Sequence, residues 1–226
     1  MCGSGISAAF AVLFCLVLRG TNAACLCIFD TDRTLTGRQG DTENCPLNKV
    51  EWRANDTAYG GGPLTLSALS QSISKTFCSA CYLGVISAGI VGGADSAERR
   101  ILHSSLSSSP YMKWLTKRWQ SPGCTPVTGP LITGCIDGHK QTAVPGIIDF
   151  YTRFTGDVIN DWDVHFFDDR KQNIVPFWRT PYNAHQISCS RRDRGGDIGL
   201  CGASADEVGS ARGVTLCAEA EHGHLV

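Results

Sequence analysis

The sequence of 226 residues lacks an excess of either charge, with 20 Lys and Arg, 21 Asp and Glu and a formal net charge of −1. Without a polybasic region, neither nucleic acid nor an anionic membrane surface is indicated as the main partner. Long apolar runs are also missing, because the N-terminal apolar stretch from Ile6 to Leu18 is too short for a comfortable transmembrane span. Internal repeats are absent as well, so this length is most simply one α/β domain with a full core.

The N-terminal segment 1–23 is typical of a secretory signal peptide. Its apolar stretch is followed by Arg19 and then by small residues, which predicts cleavage near Ala23 and a secreted protein with no stable membrane span. Against this interpretation, no Lys or Arg precedes the apolar stretch, so an uncleaved anchor is the alternative. The Asn55-Asp-Thr57 sequon is an acceptor for N-glycosylation if the chain is secreted.

Cysteine, in contrast, is abundant. The chain has 12 cysteines, and all but Cys2 and Cys15 lie beyond the predicted signal peptide. An even number of cysteines in a secreted chain predicts disulfide bonds, although their connectivity cannot be deduced. Cys78-Ser-Ala-Cys81 is alternatively a redox motif or half of a zinc site. No second close pair of cysteines or histidines completes such a zinc site, which favours disulfides.

Apolar runs bounded by turn residues alternate with amphipathic segments along the chain, the pattern of a parallel α/β sheet. A polar, glycine-rich flap is expected over 37–63, with a short hairpin around 50–52, and a polar extension over 179–226 that disulfides pin to the body. We expect Asp95 to cap the second helix, with Glu98 completing a capping box. Strands are predicted at 25–29, 82–86, 131–136 and 164–167, and helices at 64–77, 97–106, 111–119 and 144–154.

Polar groups follow each of these four strands. In a parallel sheet the carboxyl ends of the strands meet at one edge, where ligands bind. Several carboxylates, one hydroxyl and one ammonium at that edge suit phosphoryl transfer, which needs oxygen ligands for Mg²⁺, a nucleophile and donors to phosphoryl oxygens. The candidates are Asp30 and Asp32 after the first strand, Ser87 after the second, Lys140 after the third, and Asp168 and Asp169 after the fourth.

Other interpretations of these residues are structural. The acids are alternatively caps of turns, and a serine at the end of a strand is common. Lys113 and Lys117 are alternatives to Lys140. Arg191-Arg192-Asp-Arg194 is either a solvated loop or a clamp for a second anionic group of a substrate.

At these positions the chain resembles the haloacid-dehalogenase (HAD) superfamily of phosphatases, from Cys25 to about Phe177. The first motif resembles Phe29-Asp-Thr-Asp-Arg-Thr-Leu-Thr36 and the second Gly84-Val-Ile-Ser87; the third is Lys140, and the fourth resembles Phe166-Phe-Asp-Asp-Arg-Lys-Gln-Asn-Ile174. The resemblance implies a three-layer, Rossmann-like α/β fold whose mainly parallel sheet is flanked by helices.

The resemblance also implies a role for each residue. Asp30 would be the nucleophile that forms an aspartyl phosphate, and Asp32 the general acid and base. Ser87 would bind the transferring phosphoryl group and Lys140 would neutralise charge. Mg²⁺ would be held by the carboxylates of Asp30, Asp168 and Asp169 and by the backbone carbonyl of Asp32.

The sequence departs from the family in two ways. Arg33 stands where the family most often has glycine, and there is little room for a large cap domain. An open site favours a bulky or macromolecular phosphorylated substrate. The expected function is therefore a secreted, Mg²⁺-dependent phosphomonoesterase. Alternatives are a binding or effector protein that has lost turnover and a phosphotransferase. A dehalogenase is disfavoured because it needs neither Asp32 nor the Asp168/Asp169 pair.

Overall fold

The computed structural model describes residues 24–108, 116–120 and 122–218. The predicted signal peptide and most of the helix predicted at 111–119 lie outside these residues. Within the described ranges, no helix has both the length and the apolar character needed to cross a bilayer.

The central sheet contains six strands, each pair of neighbours parallel. From one edge to the other these are β10 (Val214–Thr215), β7 (Asn183–Gln186), β6 (Ile159–Asp168), β1 (Ala24–Phe29), β4 (Tyr82–Ile86) and β5 (Leu131–Ile132). Strand β1 lies inside the sheet, between β6 and β4, as expected for an apolar run that is buried on both faces. Its carboxyl end therefore has a neighbouring strand end on either side.

Helices cover both faces of this sheet. They are α1 (Ala68–Ser72), α2 (Ala97–Ser105), α3 (Val144–Thr155) and α4 (Lys171–Ile174). Alternate residues of β1 point to opposite faces: Phe29 packs in the cluster that holds Leu69 of α1 and Leu102 of α2, whereas Ile28 packs in a second cluster with Ile147 of α3. The described chain is thus an α/β structure in three layers.

Two small antiparallel sheets lie outside the central one. Strand β2 (Lys49–Asp56) pairs with β3 (Gly62–Leu66), and β8 (Arg192–Asp193) pairs with β9 (Ile198–Gly199). A hairpin is present in the flap, as predicted, but it is longer than expected: residues 50–52 lie within β2, and the turn falls at 57–61. Its turn contains Tyr59 at φ 50° followed by Gly60 and Gly61, also at positive φ.

All ten cysteines beyond Ala23 form disulfides, which confirms this part of the sequence prediction. Five disulfides are typical of proteins that mature in an oxidising compartment. The pairs are Cys25–Cys81, Cys27–Cys78, Cys45–Cys201, Cys124–Cys135 and Cys189–Cys217. The first two join β1 to the segment before β4, and Cys45–Cys201 joins the flap to the C-terminal segment.

The helix predicted at 64–77 is wrong at its start. Residues up to Leu66 belong to β3, and Ser67 is the N-cap of α1, accepting a hydrogen bond from the Ser70 amide at 3.3 Å. The rest of the segment continues as short 3₁₀ turns, Ile73–Lys75 and Phe77–Ala80. Leu64 and Leu66 satisfy the two-residue period of a strand as well as helical spacing, and pairing with β2 decides between them.

Three further predictions need correction. Ser96 rather than Asp95 caps α2, accepting from the Arg99 amide at 3.1 Å, so Glu98 completes no capping box with Asp95. The third strand ends at Ile132, and Gly134 follows in a left-handed conformation at φ 66°. The segment expected as a polar C-terminal extension supplies two strands of the central sheet, β7 and β10.

Candidate active site

The carboxyl ends of β1 and β6 bring four acidic residues to the same edge of the sheet. The two strands are held in register by hydrogen bonds and by Phe29 and Phe167, whose rings stack at 5.1 Å. Immediately beyond β1, the backbone amide of Asp30 donates to the Phe167 carbonyl at 2.9 Å. Asp30 therefore lies beside Asp168, the last residue of β6, and its neighbour Asp169.

Lys140 lies between two of these carboxylates. It begins a 3₁₀ turn, Lys140–Ala143, and its Nζ donates to Asp30 Oδ1 at 2.5 Å and to Asp168 Oδ2 at 2.7 Å. All three side chains are at least 95% buried. Burial opposes the charge of the ammonium, but Asp168 and Asp30 outweigh this effect and raise the pKa of Lys140. Lys117, an alternative in the sequence, is exposed.

A hydrogen-bonded network positions the Lys140 segment against the acids. Asn173 donates through Nδ2 to Asp168 Oδ2 at 2.9 Å and to Asp137 Oδ1 at 3.0 Å. The side-chain oxygen Oδ1 of Asn173 accepts from the Gly138 amide at 2.7 Å. Asn173 thus ties the residues just before Lys140 to the end of β6.

The carboxylates of Asp30, Asp168 and Asp169 form a group with the donor set of a divalent cation site. One oxygen from each lies within 4.8 Å of the others. Asp169 Oδ2 accepts from the Gly199 amide at 2.6 Å, whereas its buried Oδ1 has no hydrogen-bond partner. Burial raises the pKa of both Asp30 and Asp169 well above the usual range. A buried, unpartnered oxygen among carboxylates fits a hard cation such as Mg²⁺, which would favour their ionised forms.

The carboxylate of Asp32 belongs to a second acidic group. It lies with Asp56 of the flap and Glu98 of α2, again with one oxygen from each residue within 4.8 Å of the others. Burial, followed by repulsion from Asp56 and Glu98, raises the pKa of Asp32 to about 8. Glu98 is fully buried and neither of its oxygens accepts a hydrogen bond of normal geometry. The sequence prediction assigned the backbone carbonyl of Asp32, not this carboxylate, to the metal, and that assignment stays a prediction.

Ser87 lies close to Asp32. An added Cβ on Gly89 would stand 3.2 Å from Asp32 Oδ2 and 3.7 Å from Ser87 Oγ, so both oxygens border the same small volume. The Ser87 hydroxyl is buried and has no hydrogen-bond partner. A phosphoryl oxygen is one ligand that would satisfy it.

Arg33 occupies its position at a cost in backbone conformation. Its φ of 66° is left-handed, a region in which glycine is favoured. Its guanidinium donates to the carbonyls of Gly199 and Leu200, each at 3.2 Å, and lies 3.6 Å from the Asp193 carboxylate. The side chain therefore connects the turn after β1 to the C-terminal segment.

The structure thus brings Asp30, Lys140, Asp168 and Asp169 into direct contact or close proximity, with Ser87 near Asp32. The sequence prediction missed Asp56, Glu98 and the positioning residue Asn173. Asn173 lies within the fourth motif, so its short distance in sequence from Asp168 could have indicated a role at the site. Nothing in the local sequence connects Asp56 or Glu98 to Asp32. Together these groups define an α/β protein with a buried carboxylate and ammonium site at the carboxyl edge of its sheet.

No family model and no curated protein matches the sequence. The crystal structure of a hypothetical protein from Xanthomonas campestris is similar at 15% identity, covering 78% of this chain and 77% of that chain with a TM-score of 0.36. A similarity this weak carries no argument about family or function.

Proposed function

We propose that this protein is a Mg²⁺-dependent phosphomonoesterase that acts through an aspartyl phosphate. The observation that carries the proposal is the position of Lys140 Nζ, which bridges Asp30 and Asp168 beside the unpartnered oxygen of Asp169. This arrangement leaves the second oxygen of Asp30 for bond formation. A bound Mg²⁺, held by Asp30, Asp168 and Asp169, would supply charge stabilisation for the phosphoryl group.

In the first step, the Asp30 carboxylate attacks phosphorus while the bond to the leaving oxygen breaks. Asp32 gives its proton to that oxygen, and its raised pKa supports a protonated form at neutral pH. In the second step, Asp32 takes a proton from water, which attacks phosphorus and releases phosphate and the Asp30 carboxylate. Lys140 and Ser87 would stabilise the transferred group in both steps.

The first experiment measures phosphate release from an aryl phosphate by the oxidised protein, with and without Mg²⁺. Turnover is expected only with Mg²⁺, and Asp30→Asn should abolish it because the amide is not a competent nucleophile. Asp161→Asn, an exposed position on β6, is the matched control and should retain activity.

Other outcomes separate the alternatives. A folded wild-type protein without metal-dependent turnover would overturn the proposal and favour a binding or effector protein. Transfer of phosphate to an added alcohol in preference to water would indicate a phosphotransferase. Full activity of Asp30→Asn would contradict the assignment of the nucleophile.

A further inference from the structure

A cavity lined mainly by arginines opens at the turn after β1, where Arg33 directly follows Asp32 of the candidate active site. Its volume is about 390 Å³, and three separate parts of the chain line it: the turn after β1, the flap and the C-terminal segment. Its principal lining residues are Arg33, Arg38, Gln39, Tyr59, Asp193 and Arg194. We refer to this cavity as the arginine pocket.

The three arginines of the arginine pocket are not equivalent. Arg33 is buried and its guanidinium is already occupied by two backbone carbonyls and by Asp193. Arg38 and Arg194 are exposed, and no carboxylate in the part of the chain that the structure describes lies within 4.0 Å of their charged nitrogens. Asp193 offsets one of the three charges, so Arg38 and Arg194 leave the pocket with a net positive charge.

Tyr59 connects the arginine pocket to the candidate active site. The guanidinium carbons of Arg33 and Arg194 each lie 4.9 Å from the centre of its ring, an arrangement that restricts both side chains. Asp169 and Asp30 add to the effect of burial and raise the pKa of its hydroxyl. The ring of Tyr59 thus contacts two cations of the pocket, and its hydroxyl is close enough to the acids of the site to respond to their charge.

Of the arginines in the 191–194 segment, Arg194 alone lines the pocket. Arg191 donates to the Asn44 carbonyl, and Arg192 donates to four backbone carbonyls, which assigns both to structural roles. Of the residues that the sequence suggested as a substrate clamp, only Arg194 can therefore serve in this pocket. Its partner there is Arg38, which the sequence analysis did not associate with the clamp.

We propose that the arginine pocket binds a second anionic group, a carboxylate or phosphate, carried by the leaving group of the phosphomonoester. This inference rests on the proposed phosphatase function and specifies its substrate class. Two guanidinium groups with no carboxylate partner suit such an anion, because each offers a planar pair of donors that matches its oxygens. The ring of Tyr59 holds Arg194 in place before the substrate arrives, which lowers the entropy lost on binding.

The test compares aryl phosphates that carry a carboxylate at ring position 3 or 4 with the neutral carboxamides of the same shape. For the wild-type protein in Mg²⁺, kcat/KM is expected to be at least about tenfold higher for a carboxylate, as for a hydrogen bond to a charged group. The double variant Arg38→Gln/Arg194→Gln should lose this preference, because KM rises much more for the carboxylates than for the carboxamides.

Arg53→Gln is the matched control, because it removes an exposed charge from the same flap but outside the arginine pocket. It should keep the preference for carboxylates. The inference is overturned if the wild-type protein turns over both types of substrate equally, or if the double variant retains the preference.

Failure of the phosphatase proposal is separable from failure of this inference. If no protein hydrolyses any of these compounds, calorimetric binding of the same carboxylate and carboxamide compounds decides. Tighter binding of the carboxylate, lost in the double variant, would uphold the arginine pocket as an anion site. Equal binding of both compounds would reject it.

Discussion

Replacement of Lys140 by methionine tests whether its ammonium compensates the buried acids. Methionine has a similar length but no charge, and it would leave Asp30 and Asp168 without their shared cation. Removal of one partner from a buried ion pair typically costs about 3–5 kcal/mol. We expect a loss of this size from the free energy of unfolding at pH 7, measured without divalent cations.

The pH dependence of this loss has a defined sign. In the variant, one more buried carboxyl group than in the wild type would keep a proton that the unfolded chain has released, so the folded variant binds more protons and its stability relative to the wild type falls as pH rises. The deficit cannot exceed the free energy needed to keep one Asp protonated, which is about 1.4 kcal/mol for each pH unit above an unfolded pKa of about 3.9. The deficit should therefore reach about 4 kcal/mol at pH 7 and only about 1.5 kcal/mol at pH 5.

The assay is urea unfolding in EDTA with disulfides intact, followed by tryptophan fluorescence. The control is Lys49→Met, because Lys49 is 60% exposed and its ion pair with Glu51, at 2.6 Å, is a surface pair. Such pairs contribute at most about 1 kcal/mol. A Lys140→Met protein within about 1 kcal/mol of wild type at pH 7, or a deficit that does not change with pH, would refute the reasoning.

Three further predictions concern stability. Burial and His165 lower the pKa of His185 to about 4, so its contribution to stability is lost as pH falls from about 6.5 towards 4; between pH 7 and pH 5 the free energy of unfolding of the wild type, measured in urea, should fall by about 2 kcal/mol relative to that of His185→Asn. Replacement of Cys45 and Cys201 by serine should cost at most about 5 kcal/mol in urea unfolding, the loop-entropy limit for a separation of 156 residues. Tyr151→Phe removes the hydroxyl that donates to the Leu83 carbonyl and should cost about 1 kcal/mol, with no loss contradicting the bond.

The site residues at strand ends were predictable because their sequence context is local. Asp30 and the Asp168/Asp169 pair each follow a buried apolar run, and parallel pairing then brings them together. Lys140 could be predicted by the same reasoning, since it follows the turn after β5. The prediction needed only the order of strands, not their detailed packing.

The acids around Asp32 were not predictable in this way. Asp56 comes from the flap hairpin and Glu98 from the first turn of α2, and only tertiary packing places either beside Asp32. Similarly, β7 and β10 contain four and two residues, too few for a hydrophobic period to be recognised. Only their pairing with neighbouring strands assigns them to the sheet, so the sequence of this segment predicted a polar extension instead.

This C-terminal segment is part of the candidate site rather than an appendage to it. The Gly199 amide donates to Asp169 Oδ2, and the carbonyl of the same residue accepts from Arg33 in the turn after β1. Two residues later, Cys201 is joined to Cys45 of the flap. The left-handed φ of Arg33 costs about 1 kcal/mol or more, and the hydrogen bonds from its guanidinium to the C-terminal segment offset this cost. The position of the Asp169 carboxylate therefore depends on a segment that the Cys45–Cys201 disulfide holds against the flap. In this way the disulfides of the chain support the site at which the proposed chemistry takes place.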